Sequence, residues 1–346
     1  MTSNEANGSS KRVAVYGAGG HTGRFVVAEL LRRGLDVVAV ARDAAKLDPL
    51  LQSSDRVAVR AATVDDGGSL DRAFDGVTVV INCAGPFLDT AGPVASAALR
   101  VGAHYLDVTA EQPSARATID TFGAIAGEAG LVVMPAMGFY GGLGDLLATA
   151  AMGDWDAADE IRIGIALDSW HPTAGTRITG ERNQARRQVV SQGSLVPVTL
   201  PPREMDWEFP APVLVRPVVE VPFSEIVTIS SHLRAAELHN YLSRNALEDV
   251  RSDATPAPKP TDETGRSAQR FLVEAVASKG GIVRRVAVRG RDIYAFSAPL
   301  VCEAAARLLD HRAETGGAMA PGAMFEPIEF LAALESADSD FRIIQR

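Results

Sequence analysis

The stretch "VAVYGAGGHTGRFVVAELLRRG", residues 13–34, decides the reading of the first half of the chain. An apolar run ends in a cluster of glycines, and a pattern with helical spacing begins at once. Gly17, Gly20 and Gly23 give GxxGxxG. Gly19 adds the first half of GxGxxG, with His21 beside it and Thr22 where a third glycine would stand. A glycine turn that follows a strand and opens a helix is the context of dinucleotide binding. Gly17 permits the tight turn, Gly19 or Gly20 lets the backbone approach a pyrophosphate, and Gly23 allows close helix–strand packing. The helix N-terminus then offers unpaired N–H groups and a partial positive charge to phosphate.

Outward from this turn, residues 12–150 alternate apolar runs with helical patterns. Strands are predicted at 12–17, 36–42, 57–64, 77–85, 104–109 and 131–136, with helices at 23–34, 43–54, 69–76, 91–102 and 113–130. This alternation predicts an α/β fold, a Rossmann-type doubly wound parallel sheet with helices on both faces. The second strand ends in Arg42, with Lys46 one helical turn later, where NAD binders carry an acidic residue for the ribose 2′-OH. An arginine suits a 2′-phosphate through paired charge-assisted hydrogen bonds, so the expected cofactor is NADP. Asp65, at the end of the third strand, is placed to accept from the adenine amino group. Cys83, Ala84, Gly85, Pro86 and Phe87 follow the fourth strand, where small residues let the cofactor's ribose lie against backbone. Cys83 reads as a packing residue, since no motif places a base beside it.

Beyond about Trp155 the pattern changes to a second, α+β domain with an open mixed sheet. Strands are expected at 160–167, 212–223 and 225–231, helices at 174–191 and 234–250, and a hairpin over 267–292 turning at Lys279-Gly280-Gly281. Helices follow at 298–314 and 327–336, and the Pro-rich stretch 252–266 reads as a loop. The organisation expected is a disordered tail over 1–11, an NADP-binding domain over 12–150, a substrate and dimerisation domain over 151–290, and a C-terminal segment over 291–346 that returns to the first domain. Strands with few covering helices suggest a homodimer through the second domain.

The bulk numbers agree with a globular enzyme-sized chain. The 346 residues are 47% hydrophobic and 22% charged, enough for a sizeable core. A net charge of −9, with basic residues scattered, argues against nucleic acid as a partner. Two distant cysteines make neither a disulfide framework nor a zinc site, so no metal is expected. The polar start and the lack of a long apolar run argue against a leader or a membrane span, and a cytoplasmic protein is expected.

Together these strings resemble the saccharopine dehydrogenase-like oxidoreductases, in the branch that includes the trans-acting enoyl reductases. The resemblance lies in "YGAGGHTGR" (16–24), "VVAVARDAAKL" (37–47), "VINCAGPFLDTAGPVASAALRVGAHYLDVTAE" (80–111), "PAMGFYGGLGDLLA" (135–148), "GRDIYAFSAPLVCEAAARLL" (290–309) and "APGAMFEPIEFLAAL" (320–334). It is good over 12–150, fair over 286–335 and weak over 155–250. It implies a Rossmann domain, a second domain with an open mixed sheet, a returning C-terminal segment, and NAD(P)-dependent hydride transfer to C=N, C=O or C=C bonds. Two positions depart from the family pattern: Tyr140 stands where many relatives carry Asp, and Ala110 where they often carry Gly.

The chemistry is less legible. No Tyr is followed four residues later by Lys, which excludes the short-chain dehydrogenase scheme. A proton must still reach a reduced substrate from a side chain or water. The candidates are Tyr140 in the glycine-rich segment, Tyr105, Asp107 and Glu111 at the fifth strand's end, and His171 from the second domain. Asp145 reads as a helix N-terminal charge. Arg177, Arg182, Arg186 and Arg187 recur at helical spacing and are candidates for holding an anionic group of a small-molecule substrate, or form a solvated face. The functional expectation is an NADP-dependent reductase; the alternative is a non-catalytic NADP-sensing regulator acting through a protein partner.

Overall fold

The computed structural model describes residues 11–47, 54–310 and 316–344. Of the expected tail, residues 1–10 lie outside the described residues, as do 48–53 of the expected helix 43–54. Six parallel strands build the first sheet: β1 (Arg12–Tyr16), β2 (Asp36–Ala41), β3 (Val57–Ala61), β4 (Val79–Asn82), β5 (His104–Asp107) and β6 (Val132–Met134). Their near-continuous apolar runs follow from burial on both faces. Val13, Val15, Val37, Ala39 and Ile81 pack with Phe25, Val26 and Leu30 of α1 (His21–Arg32). Ala14, Tyr16, Val38, Val40 and Val80 pack on the other face, against α2 (Gly67–Phe74), α3 (Phe87–Arg100) and α4 (Gln112–Ala129). The helix α3 starts at Phe87, ahead of the expected 91, so Pro93 lies within it.

Helix α5 (Gly142–Met152) leads into the second sheet. Its centre is β7 (Ala158–Leu167), which pairs in parallel with β12 (Ala235–Ser243) and antiparallel with β13 (Arg270–Lys279). The chain reaches β12 through α6 (Ala174–Arg182), β8 (Gln188–Ser191), β9 (Ser194–Pro197), β10 (Glu204–Glu208), β11 (Val215–Glu220) and α7 (Glu225–Ser230). The expected hairpin is β13 with β14 (Ile282–Arg291), turning at Gly280 and Gly281, which both take positive φ.

Three expectations in this domain are corrected. The helix expected over 174–191 ends at Arg182, because Val189 and Val190 are buried as a strand on β12. The β-branched run 225–230 is helical: residues 225–229 are buried and the helix packs against α5, and packing overrides its strand propensity. Residues 235–243, expected as helix, form β12. Leu238 and Leu242 join the core, while alternate residues Glu237, His239 and Tyr241 point to the other face. Only the following stretch, α8 (Arg244–Arg251), is helical.

The C-terminal segment touches both sheets. Helix α9 (Ile293–Asp310) lies along α1, with an Arg33–Glu303 ion pair at 2.6 Å and Cys302 Sγ at 3.6 Å from Val26 O. Strand β15 (Gly317–Ala318) adds to β6 as the seventh parallel strand, giving the order β15-β6-β5-β4-β1-β2-β3. After α10 (Pro321–Met324) and α11 (Pro327–Ala337), β16 (Arg342–Ile344) pairs with β14.

Candidate active site

Strand order reverses between β1 and β4, and that reversal opens a crevice at the carboxyl ends of the strands. A cleft of about 1530 Å³ fills it, lined by both domains and by the start of α9. Gly17 takes φ of +81°, and a Cβ there would lie 2.9 Å from Ala84 Cβ, so the turn after β1 and the loop after β4 touch. Gly20 caps α1 in an extended conformation, with no side chain bonded to the first turn. Gly19, Gly20, His21 and Thr22 line the cleft. An α-helix leaves its first N–H groups without internal partners, so this end of the cleft attracts an anion. Gly23 lies behind the cleft: a Cβ there would come 2.1 Å from Gly17 O.

Arg42 lies exposed on the cleft at the end of β2, with no hydrogen-bond or ion-pair partner among the described residues. The side chain of Lys46 lies outside the described residues. Asp65 does not line the cleft; its carboxylate is 3.4 Å from Thr63 Oγ1. Cys83, Ala84, Gly85 and Phe87 line it, whereas Pro86 caps α3. Burial, and after it the neighbouring Asp107, raise the Cys83 thiol far above its ordinary range, so it carries no thiolate near neutral pH.

The proton-donor candidates separate clearly. The Tyr140 ring is 8% exposed and lines the cleft between Phe223, at 4.2 Å, and Trp170, at 5.4 Å between centroids. Its hydroxyl is buried without a hydrogen-bond partner among the described residues. Burial, then the nearby Tyr294 and Glu225, push that hydroxyl well above its ordinary range, so it is held as a donor. Glu111 also lines the cleft. Its Oε1 accepts from Phe87 N at 2.8 Å, tying it to the start of α3, while Oε2 is buried without a partner among the described residues. Burial raises its carboxyl.

Tyr105 and Asp107 do not line the cleft. The carboxylate of Asp107 accepts from Tyr105 Oη at 2.9 Å, Thr109 N at 3.0 Å and Ala136 N at 2.8 Å, a buried knot joining β5 to the segment after β6. Burial raises Asp107 to about 6. His171 lies on a separate cavity of about 230 Å³, with Asp168, Lys259 and Gln269, and does not reach the main cleft. Asp145, in the first turn of α5, bonds His232 Nε2 at 2.7 Å and accepts from Gly322 N at 2.6 Å. Among the arginines, Arg177 donates to Thr255 O and Ser252 O, Arg182 pairs with Asp89 at 2.8 Å, and Arg186 reaches Val198 O at 3.4 Å. Arg187 lies over the Phe223 ring at 4.8 Å.

Sequence reasoning missed Trp170, Phe223, Tyr294 and Ser297. Tyr294 Oη accepts from Trp170 Nε1 at 2.9 Å and Thr173 N at 3.4 Å, and its ring stands edge-on to His21 at 5.3 Å. Ser297 Oγ accepts from Phe139 N at 3.1 Å, fixing the segment that carries Tyr140. These contacts span 100 residues or more, and no local pattern announces them. The assembled cleft can take an anion on the α1 side and present a donor hydroxyl inside an aromatic wall.

Comparison with known proteins agrees with this architecture. Residues 13–134 match the family model described as the saccharopine dehydrogenase NADP binding domain. A probable mitochondrial saccharopine dehydrogenase-like oxidoreductase from Arabidopsis thaliana is 30% identical over 142 residues, 37% of this chain and 31% of that protein. A human saccharopine dehydrogenase-like oxidoreductase is 29% identical over 117 residues, 29% of this chain and 27% of that one. The matches thus span about a third of the curated relatives' length. A solved structure of saccharopine dehydrogenase (L-Glu forming) from Saccharomyces cerevisiae superposes with a TM-score of 0.67 at 12% identity, over 97% of this chain and 100% of that one, a likeness of fold. Residues 13–134 thus match the saccharopine dehydrogenase NADP-binding domain, and the chain as a whole shares the fold of the yeast saccharopine dehydrogenase.

Proposed function

We propose that this protein is an NADP(H)-dependent reductase acting on a C=N, C=C or C=O bond of a small molecule. The observation that supports this best is that one cleft joins the uncapped N-terminus of α1 to the unpartnered hydroxyl of Tyr140. The amides around Gly19, Gly20 and His21 bind the pyrophosphate, and Arg42 takes the 2′-phosphate. A bound nicotinamide supplies the hydride. Tyr140 Oη donates to the atom that gains the proton, and its raised pKa keeps that proton in place until charge develops on the substrate. Phe223 and Trp170 exclude water from this end of the cleft. Glu111 holds the loop after β4 through Phe87 N.

The test is a fluorescence titration with NADPH, followed by NADPH oxidation with imine, enoyl and carbonyl substrates. Saturable binding with oxidation supports the reductase. Binding without oxidation across all three classes favours a sensor, and absence of binding rejects both. Two further proposals concern the whole molecule. We place it in the cytoplasm; among the described residues no helix is long and apolar enough to cross a membrane. We also propose a homodimer through the second domain, where Leu214, Val215, Ile282 and Val283 are exposed. Light scattering that gives a monomer mass rejects the dimer.

A further inference from the structure

We propose that the second-domain half of the cleft binds a mono-anionic acid with an apolar body, its anionic head gripped by Arg187 beside Tyr140. The inference deepens the reductase reading and rests on it for calling the bound acid the substrate. A cleft of about 1530 Å³ exceeds the roughly 300–1,000 Å³ of a single ligand pocket, so it has room for a second molecule beside a dinucleotide.

The charge in that room is specific. Arg187 and Tyr140 flank the same ring, Phe223, at 4.8 Å from the guanidinium carbon and 4.2 Å between centroids. One Arg187 nitrogen donates to Pro222 O at 2.6 Å. A guanidinium has five N–H donors, and no carboxylate pairs with this one among the described residues. Arg251, exposed on the same cleft, also lacks a partner among them. Arg177 and Arg182, by contrast, are engaged with Ser252, Thr255 and Asp89.

On the second-domain side the cleft is lined by apolar Val198, Val219, Val221, Leu247 and Val250, with Glu220 among them. The acidic group nearest this pair in effect, Glu225, lies fully buried outside the cleft lining, and burial raises its carboxyl to about 7, so it offers the cleft no exposed carboxylate. Glu220 turns its carboxylate to His239 Nδ1 at 2.6 Å, on the opposite face of the sheet from Val219. Glu181 and Asp253 stand exposed on the rim, and the free oxygen of Glu111 belongs to the first-domain side. A carboxylate matches the planar fork of an arginine, and a buried hydroxyl close by completes an anion site. An amino acid would bring a cation to a place that already holds two.

Calorimetry on NADP-saturated protein tests this with dodecanoate, butanoate, dodecylamine and glutamate. Dodecanoate should bind at one site, about tenfold or more tighter than butanoate, with no binding of dodecylamine or glutamate. Arg187→Met should weaken dodecanoate about tenfold or more, the loss expected for a charge-assisted pair, and leave NADP affinity unchanged. Glutamate or dodecylamine binding more tightly than dodecanoate overturns the inference, as does an Arg187→Met protein with undiminished dodecanoate affinity. If Arg187→Met fails to fold, the wild-type ranking of the four probes still decides, and Arg187→Lys should fall between. Protein that binds dodecanoate through Arg187 but not NADPH keeps this site and overturns the reductase reading. Protein that binds NADPH but no acid does the reverse.

Discussion

The rings of Tyr140 and Phe223 pack tilted against each other, with centroids 4.2 Å apart and planes inclined by 32°. Tyr140 sits in the glycine-rich segment that leaves the first sheet, and Phe223 in the loop after β11 of the second. This contact closes the apolar end of the cleft and joins the two domains there. In the function proposed above, a substrate would stand within reach of the Tyr140 hydroxyl and the Arg187 guanidinium.

Cofactor choice should depend on Arg42. Replacing it with Asp puts a negative charge where a 2′-phosphate would bind. NADP affinity should fall by about 1.5 to 3 kcal/mol, the range for a hydrogen bond to a charged group, and the preference should relax toward NAD. Fluorescence titration with both cofactors measures it, and equal NADP affinity in the variant removes Arg42 from the site.

Glu111 ties the fifth strand's end to α3. Glu111→Ala removes the acceptor of Phe87 N and should cost about 0.5 to 2 kcal/mol, as loss of a helix cap does. Glu111→Gln keeps an acceptor oxygen and should retain most of that stability. If Glu111 is also the proton source, the Gln variant will lose turnover at unchanged thermal midpoint; an active Gln variant leaves Glu111 as support alone.

Stability should depend on pH through Glu225, which lies fully buried against Gly144. Burial raises its carboxyl from 4.5 to about 7. A group whose folded pKa is raised contributes most below its unfolded value, and that contribution is lost as pH rises through the folded one. The wild-type thermal midpoint should therefore fall relative to Glu225→Gln between about pH 4.5 and 7, and the difference should level off above that. Asp107, also raised by burial, acts in the same direction in both proteins and cancels from the comparison. A difference independent of pH would mean that Glu225 is not held protonated by its surroundings.

The first sheet was legible, apart from the two-residue β15, because its parallel strands are mostly apolar runs and most of its turns carry a glycine. Gly17, for example, needs its positive φ where the sequence puts it. The second sheet was less so. β12 holds Leu238, Asn240 and Leu242 on one face and His239 and Tyr241 on the other, yet it runs directly into α8, and the joined stretch mimics one helix. At the site, the cleft-lining glycines and Arg42 follow from local context. Asp65 and His171 were placed by strand-end and local-context arguments; Asp65 sits by Thr63 off the cleft, and His171 lines a separate cavity. Tyr294 and Phe223 come from distant segments, and only the packed structure brings them to Tyr140 and His21.

The central claim is that Tyr140 faces the reacting atoms in a cleft that binds NADPH. Tyr140→Phe keeps the ring and its packing on Phe223 and removes only the hydroxyl. With a substrate that the wild type reduces, the variant should turn over roughly 10²- to 10⁴-fold more slowly, with NADPH affinity and thermal midpoint unchanged. Wild-type turnover in Tyr140→Phe would contradict the account and return the proton to water or Glu111.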